Sequence, residues 1–128
     1  MKIEKLHHIA IICSDYQKSK KFYTDILGFK IDNEIFRAER QSYKLDLSLN
    51  GHYLIELFSF PNTPERLTRP EATGLRHIAF GVADIDSSVE YLKLNDIITE
   101  SIRIDKFTNR KFTFLNDPDN LPIELYEL

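Results

Sequence analysis

The sequence predicts an α+β fold of two tandem β-α-β-β-β modules, and two observations predict it. The first is an internal copy. Leu75-Arg76-His77-Ile78-Ala79-Phe80 nearly repeats Leu6-His7-His8-Ile9-Ala10-Ile11, 69 residues earlier. Asp15 and Asp84, and Ser19 and Ser88, match at the same offset, and Ile55-Glu56-Leu57 matches Ile123-Glu124-Leu125 at an offset of 68. A repeat of this kind has to be read before any single element, because it sets the architecture. The second is the hydrophobic pattern, which in each copy runs from strand to amphipathic helix to three further strands.

The elements follow in order. Leu6 to Cys13 is apolar and Ile-rich, bounded by charge and by Ser14-Asp15, and reads as a strand. Alternation puts Leu6, His8, Ala10 and Ile12 on one face and His7, Ile9, Ile11 and Cys13 on the other. Asp15 is a helix N-cap. Ser19, Phe22, Tyr23, Ile26 and Leu27 form the apolar stripe of the helix, which Gly28 ends by taking the left-handed conformation. Phe29 to Arg37 is a strand, Ala38 to Ser42 a turn, and Tyr43 to Leu49 a cleanly alternating strand. Asn50-Gly51 is a hairpin turn leading to a strand from His52 to Phe60. Residues 61–74, with Pro61, Pro64 and Pro70, form a connector. The second copy reads as a strand from Leu75 to Val82, a helix opened by Asp84 and closed at Asn95-Asp96, strands from Ile97 to Ile104 and Lys111 to Asn116, a turn at Asp117-Pro118-Asp119-Asn120, and a strand from Leu121 to Leu128. The expectation is one domain, 1–128, of two modules (about 1–60 and 75–128) joined by the Pro-rich connector.

Composition narrows the function classes. The chain is 42% hydrophobic and 29% charged with a net charge of −3, so no basic stripe suggests nucleic acid. The longest apolar run near the start is Ile9 to Cys13, too short for a membrane span or a signal-peptide core. The single cysteine, Cys13, excludes an internal disulfide. A cytoplasmic protein is expected, acting on a small molecule and not on nucleic acid or a membrane.

The chemistry lies in four repeated polar residues, His8, Glu56, His77 and Glu124. If first and fourth strands are neighbours, each module presents one imidazole and one carboxylate on one side. Two modules then supply two nitrogens and two carboxylates, a set suited to a divalent ion such as zinc, nickel, cobalt, iron or manganese. No local H-x-x-x-H or C-x-x-C motif exists; the duplication is the signal. The competing reading is that duplication copied a structural His and Glu. Both glutamates stand in Ile-Glu-Leu settings, where a carboxylate is costly unless paired or metal-bound, which favours a metal site. Other polar or aromatic residues have plainer readings: His7 and His52 as rim histidines, Cys13 as a small buried apolar residue, and Phe22-Tyr23 as helix packing.

At these residues the chain resembles the vicinal oxygen chelate superfamily and, within it, glyoxalase I. The likeness rests on the Leu-x-His-Ile-Ala opening of each module, Phe22-Tyr23, Leu27-Gly28-Phe29, and Asp117-Pro118-Asp119 before Ile123-Glu124-Leu125. The His, Glu, His, Glu order is similar to that of glyoxalase I. Epimerases of the superfamily often have Gln at the position of Glu56, dioxygenases use two His and one Glu, and drug-sequestering members lack the ligands. The resemblance implies curled mixed sheets forming a cup around one divalent ion per site, nickel or zinc first, with cobalt, manganese or iron also possible. It implies a homodimer in which His8 and Glu56 of one chain meet His77 and Glu124 of the other. It implies isomerisation of a 2-oxoaldehyde–thiol adduct through an enediolate, with Glu124 as base and Glu56 as a ligand that assists. The alternatives are a small-molecule or drug-sequestering protein, an epimerase and a thiol transferase. Glutathione-dependent relatives commonly have Arg four residues after the first ligand and Asn four residues after the first Glu; here those positions are Ile12 and Phe60. The expected thiol is therefore not glutathione, and Arg37, Arg40, Lys44 and Lys111 are candidates for an anionic group, weighed against a role as solvated charges.

Overall fold

The computed structural model describes residues 1–128, which divide into two compact units, Met1–Glu65 and Arg66–Leu128. In the first, β1 (Ile9–Cys13) leads into α1 (Tyr16–Lys21), then β2 (Lys30–Arg37), β3 (Ser42–Leu49) and β4 (His52–Ser59). The sheet order is β1-β4-β3-β2, with β1 parallel to β4 and the other pairs antiparallel. First and fourth strands are thus neighbours, the condition on which the four-residue argument depended.

Local chemistry explains the helical segment. The Asp15 side chain accepts from the Lys18 amide at 3.1 Å, satisfying one of the amides that a helix start leaves open. The expected single α-helix does not run to Leu27. After Lys21 it widens into a π-helical turn, Phe22–Ile26. There the Thr24 hydroxyl donates to the Lys20 carbonyl at 2.9 Å, and the Leu27 amide reaches back five residues to Phe22. Gly28 then takes φ 79°, a conformation open to glycine without steric cost. The widened turn still buries Phe22 and Tyr23, with Leu45, Leu47, Ile55 and Leu57 fully buried in the sheet. Phe22 and Tyr23 are packing residues, and Cys13 is buried at 1% exposure, both as read from the sequence.

The second unit repeats the order: β5 (Ile78–Val82), α2 (Ile85–Leu94), β6 (Arg103–Ile104), β7 (Lys111–Asn116) and β8 (Pro122–Glu127), with sheet order β5-β8-β7-β6. Asp84 caps α2 through the Ser87 amide at 2.9 Å. Ile85 and Leu92 of α2 are buried, as are Thr113, Leu115, Ile123 and Leu125 of the sheet. The Asp117 carboxylate accepts from the amides of Asp119 and Leu121 at 2.9 and 2.8 Å, which fixes the turn into β8.

One expected element is mostly absent. The strand over Ile97 to Ile104 shrinks to Arg103–Ile104. In the lost part Ile98 is 89% exposed, so its β-branched side chain finds no sheet surface to pack on. Glu100 keeps one backbone bond to β7, from its amide to the Phe114 carbonyl at 2.8 Å, while its carbonyl is taken by the Thr113 hydroxyl at 2.7 Å, so the backbone ladder does not continue through it.

Each unit is therefore an open four-stranded mixed sheet. One face carries the buried apolar residues. The other carries Ala10 and Ile12 in the first unit and Ala79 and Gly81 in the second, all exposed.

Candidate functional site

On the open face of the first unit, Ala10 of β1 pairs with Glu56 of β4. His8 lies two residues before Ala10, and its Nε2 is 3.4 Å from Glu56 Oε2. The second unit repeats this. Ala79 pairs with Glu124, and His77 Nε2 is 3.2 Å from Glu124 Oε2. Each histidine side chain is about one-third exposed (35% and 34%) and each glutamate 16%, so both pairs are reachable from solvent. Each unit brings its own His and Glu together by the same parallel strand pairing.

These pairs have the spacing that one ion needs. A divalent ion of the zinc type holds a nitrogen and a carboxylate oxygen at about 2.0–2.2 Å each, which sets two ligands of one ion about 3.0–3.5 Å apart at octahedral or tetrahedral angles. Both measured separations fall in that interval.

The surroundings of the two glutamates differ. Glu56 Oε1 accepts from Lys44 Nζ at 2.9 Å and from the Tyr53 hydroxyl at 2.6 Å, leaving Oε2 toward His8. Lys44 also pairs with Asp46. Burial pushes the Glu56 carboxyl up, but the bonds from Tyr53 and Lys44 and the charges of Lys44 and His8 outweigh it, and the group sits below its ordinary value. Burial and the hydrogen bond to Glu56 push the Tyr53 phenol upward. Burial pulls Lys44 down, yet its bonds to Asp46 and Glu56 raise it overall. In the second unit the residue paired with Glu124 is Phe114, where Glu56 faces Asp46. Phe112, paired with Tyr126, holds the place of Lys44, and Leu121 stands three residues before Glu124, as Tyr53 does before Glu56. Around Glu124, apolar residues thus hold the positions that Asp46, Lys44 and Tyr53 hold around Glu56.

Two residues depart from the alternation read in the sequence. His7 was expected on the face away from His8. Regular strand begins only at Ile9, so alternation does not bind residues 6–8. The two imidazoles meet, with Nδ1 atoms 2.8 Å apart, and His7 also lies edge-on to Tyr53 with ring centroids 5.3 Å apart. Tyr53 itself would be assigned to the opposite face from Glu56. A register shift between Leu47 and Ser48, where Ser48 pairs with Tyr53 and Leu47 with Ile55, inserts an extra residue and turns Tyr53 toward Glu56. No sequence signal marks that bulge.

The expected anion-binding residues are engaged locally. Arg37 lies over Phe58 at 5.0 Å and Arg40 over Phe60 at 4.9 Å. Lys44 serves Glu56, and Lys111 pairs with Asp86 at 2.5 Å. His52 is exposed at the start of β4.

Comparison with known proteins matches this architecture to one family. The model of the Glyoxalase/Bleomycin resistance protein/Dioxygenase superfamily matches residues 5–125. The chain belongs to this superfamily. It is similar to YwkD, an uncharacterized protein of Bacillus subtilis (strain 168), at 61% identity over 99% of both chains. It is also similar to the crystal structure of a glyoxalase family protein from Enterococcus faecalis, with 45% identity, a TM-score of 0.90, and coverage of 99% of this chain and 100% of that one. A more distant similarity, 29% identity, is to the lactoylglutathione lyase of Schizosaccharomyces pombe (strain 972 / ATCC 24843), over 98% of this chain and 48% of that one. Members of the glyoxalase superfamily that match the chain also include a metallothiol transferase and an epimerase. No helix of the chain is long and apolar enough to cross a membrane.

Proposed function

We propose that the protein is a metal-dependent, glyoxalase-like lyase or isomerase of the cytoplasm, acting on a small 2-oxoaldehyde–thiol adduct or a related carbonyl compound. The observation that carries the reading is the pair of equivalent imidazole–carboxylate pairs, His8–Glu56 and His77–Glu124, at 3.4 and 3.2 Å. These four residues would hold one divalent ion, nickel or zinc first. When bound, the ion supplies Lewis-acid polarisation of the substrate oxygens.

The asymmetry of the glutamates divides their roles. Glu56 is fastened by Lys44 and Tyr53 and stays an anionic anchor. Glu124, beside Phe114 and without that clamp, is free to swing and serve as base. It takes the proton from the carbon that bears sulfur and returns it to the adjacent carbon, so that the adduct isomerises with no net gain or loss of atoms. Ile12, 55% exposed on the His8 face, and Phe60, stacked on Phe58, offer no hydrogen bonds to a charged tripeptide. This supports a thiol other than glutathione, since a site without the matching polar partners loses discrimination for such a group.

The test combines metal analysis with an assay. Purified protein should contain about one divalent ion per four-ligand site, and His77→Ala should lose it with an unchanged circular dichroism spectrum. Full metal content in His77→Ala overturns the site. Metal-loaded protein should turn over a methylglyoxal hemithioacetal of some thiol, with the glutathione adduct below a kcat/KM of about 10⁴ M⁻¹s⁻¹.

A further inference from the structure

The unit Arg66–Leu128 contains a cleft of about 580 Å³, within the range of about 300–1,000 Å³ usual for small-molecule sites. Its lining includes Arg66, Arg69, Arg76 and Arg103 against one carboxylate, Glu100. In a chain of net charge −3 this is a local reversal of sign.

The four guanidiniums are not equally neutralised. Arg69 and Arg76 share Glu71, at 3.0 and 3.5 Å. Arg66 meets no carboxylate. Its Nη2 donates to the backbone carbonyls of Leu75 and Arg76 and its Nε to the Thr68 hydroxyl at 3.1 Å. Neutral acceptors position a guanidinium and leave its charge in place. Arg103 lies over the rings of Phe112 and Phe114, 4.8 and 5.6 Å from their centroids, which fixes its fork, and its single acid partner is Glu100 at 2.8 Å. A planar, pre-oriented fork matches the paired oxygens of a carboxylate or phosphate.

The cleft adjoins the second His–Glu pair. Phe114 lines it, pairs with Glu124 across β7 and β8, and sets its ring edge-on to His77 with centroids 5.2 Å apart. We propose that this cleft seats the oxyanion group, carboxylate or phosphate, of a small-molecule ligand, with Arg66 and Arg103 as its main contacts. That the rest of the ligand extends to His77 and Glu124 rests on the function proposed above; the anion seat does not.

The experiment is a pair of titrations of the whole protein with inorganic phosphate and with malonate at constant ionic strength, followed by NMR at the arginine Nε–H groups. Arg66 and Arg103 should shift saturably with at least one anion, and the tighter of the two identifies the oxyanion. Arg66→Ala should weaken binding about tenfold, the loss of one charge-assisted contact. Glu100→Gln, which releases Arg103 from its internal partner without touching the core, should tighten binding severalfold. Absence of saturable shifts with both anions, or equal affinity in the wild type and both variants, overturns the proposal. Neither titration involves a metal or turnover, so metal loss or retention in His77→Ala bears on the earlier reading alone.

Discussion

The two glutamates show how one residue type is given two settings. Glu56 and Glu124 occupy equivalent strand positions, yet only Glu56 has Lys44 and Tyr53 on its second oxygen. A hydrogen bond to the outer oxygen of a ligating carboxylate orients it, and removing such a partner typically costs about 10–100-fold in metal affinity. Tyr53→Phe removes one hydroxyl from a partly exposed side chain and leaves the ring against His7 and His8. It should keep the fold and weaken metal binding by about tenfold in a competition titration with a chelator. Unchanged affinity would mean that the Tyr53 bond has no part in holding Glu56. The residues His8, Glu56, His77 and Glu124 were legible because duplication wrote them twice. Tyr53 was not, because its place depends on a register shift that leaves no mark in the residue types.

At the scale of elements, Glu34 of β2 fastens the helix to the sheet edge. It accepts from the Tyr16 hydroxyl and from Lys20 Nζ at 2.5 Å, and Tyr16 stacks on Tyr43 of β3 with centroids 4.1 Å apart. The bonds from Lys20 and then Tyr16 hold the Glu34 carboxyl below its ordinary value of 4.5. The sign follows from linkage: a group whose folded value is depressed contributes stability that is complete above 4.5 and is lost as pH falls through the folded value. Glu34→Gln should therefore lower Tm at pH 7, by an amount equivalent to less than about 1 kcal/mol for so exposed a pair, and the difference from wild type should vanish toward the acid end of a thermal-melt series. A difference that grows with acidity would show that the charge of Glu34 does not serve this junction. Cap substitution gives a second check. Asp84→Ala, which loses the bond to the Ser87 amide, should lower the midpoint of urea unfolding, whereas an unchanged midpoint would make the cap dispensable. Periodicity revealed both helices and most strands, since one face of each is buried. It misread residues 97–102, where Ile98 is 89% exposed and the tie to β7 is one Glu100 amide bond and a Thr113 side-chain bond rather than a continuous ladder. It missed the π-helical turn because Thr24 competes for a backbone carbonyl through its side chain. The arginines of the cleft were missed for a related reason: they lie in segments with neither helix nor regular strand, or on the two-residue β6, where spacing carries no facial information.

At the scale of the whole molecule, the question is how two His–Glu pairs become one site. Each pair supplies two ligand atoms, and a divalent ion of this class takes four or more. Each sheet is also open, with Ile12 of the first unit 55% exposed on the face that bears the pair. Completing the coordination and covering such a face both call for a second module, and closed two-fold dimers are the commonest assembly that supplies one. We therefore expect a homodimer in which His8 and Glu56 of one chain share an ion with His77 and Glu124 of the other. Complementation separates this arrangement from a site within one chain. His8→Ala and Glu124→Ala homodimers should each lack metal. If they are mixed, unfolded and refolded together, the hybrid dimer places both substitutions in one shared site and leaves the other with His8, Glu56, His77 and Glu124 all intact. Metal binding, and turnover with it, should then reappear in the mixture and in neither parent. If each site is formed by a single chain, every site in the mixture carries a substitution and nothing is restored. A mixture as inert as its parents, or a protein that sediments as a monomer at micromolar concentration, would exclude the shared site while leaving both His–Glu pairs in place for a site within one chain.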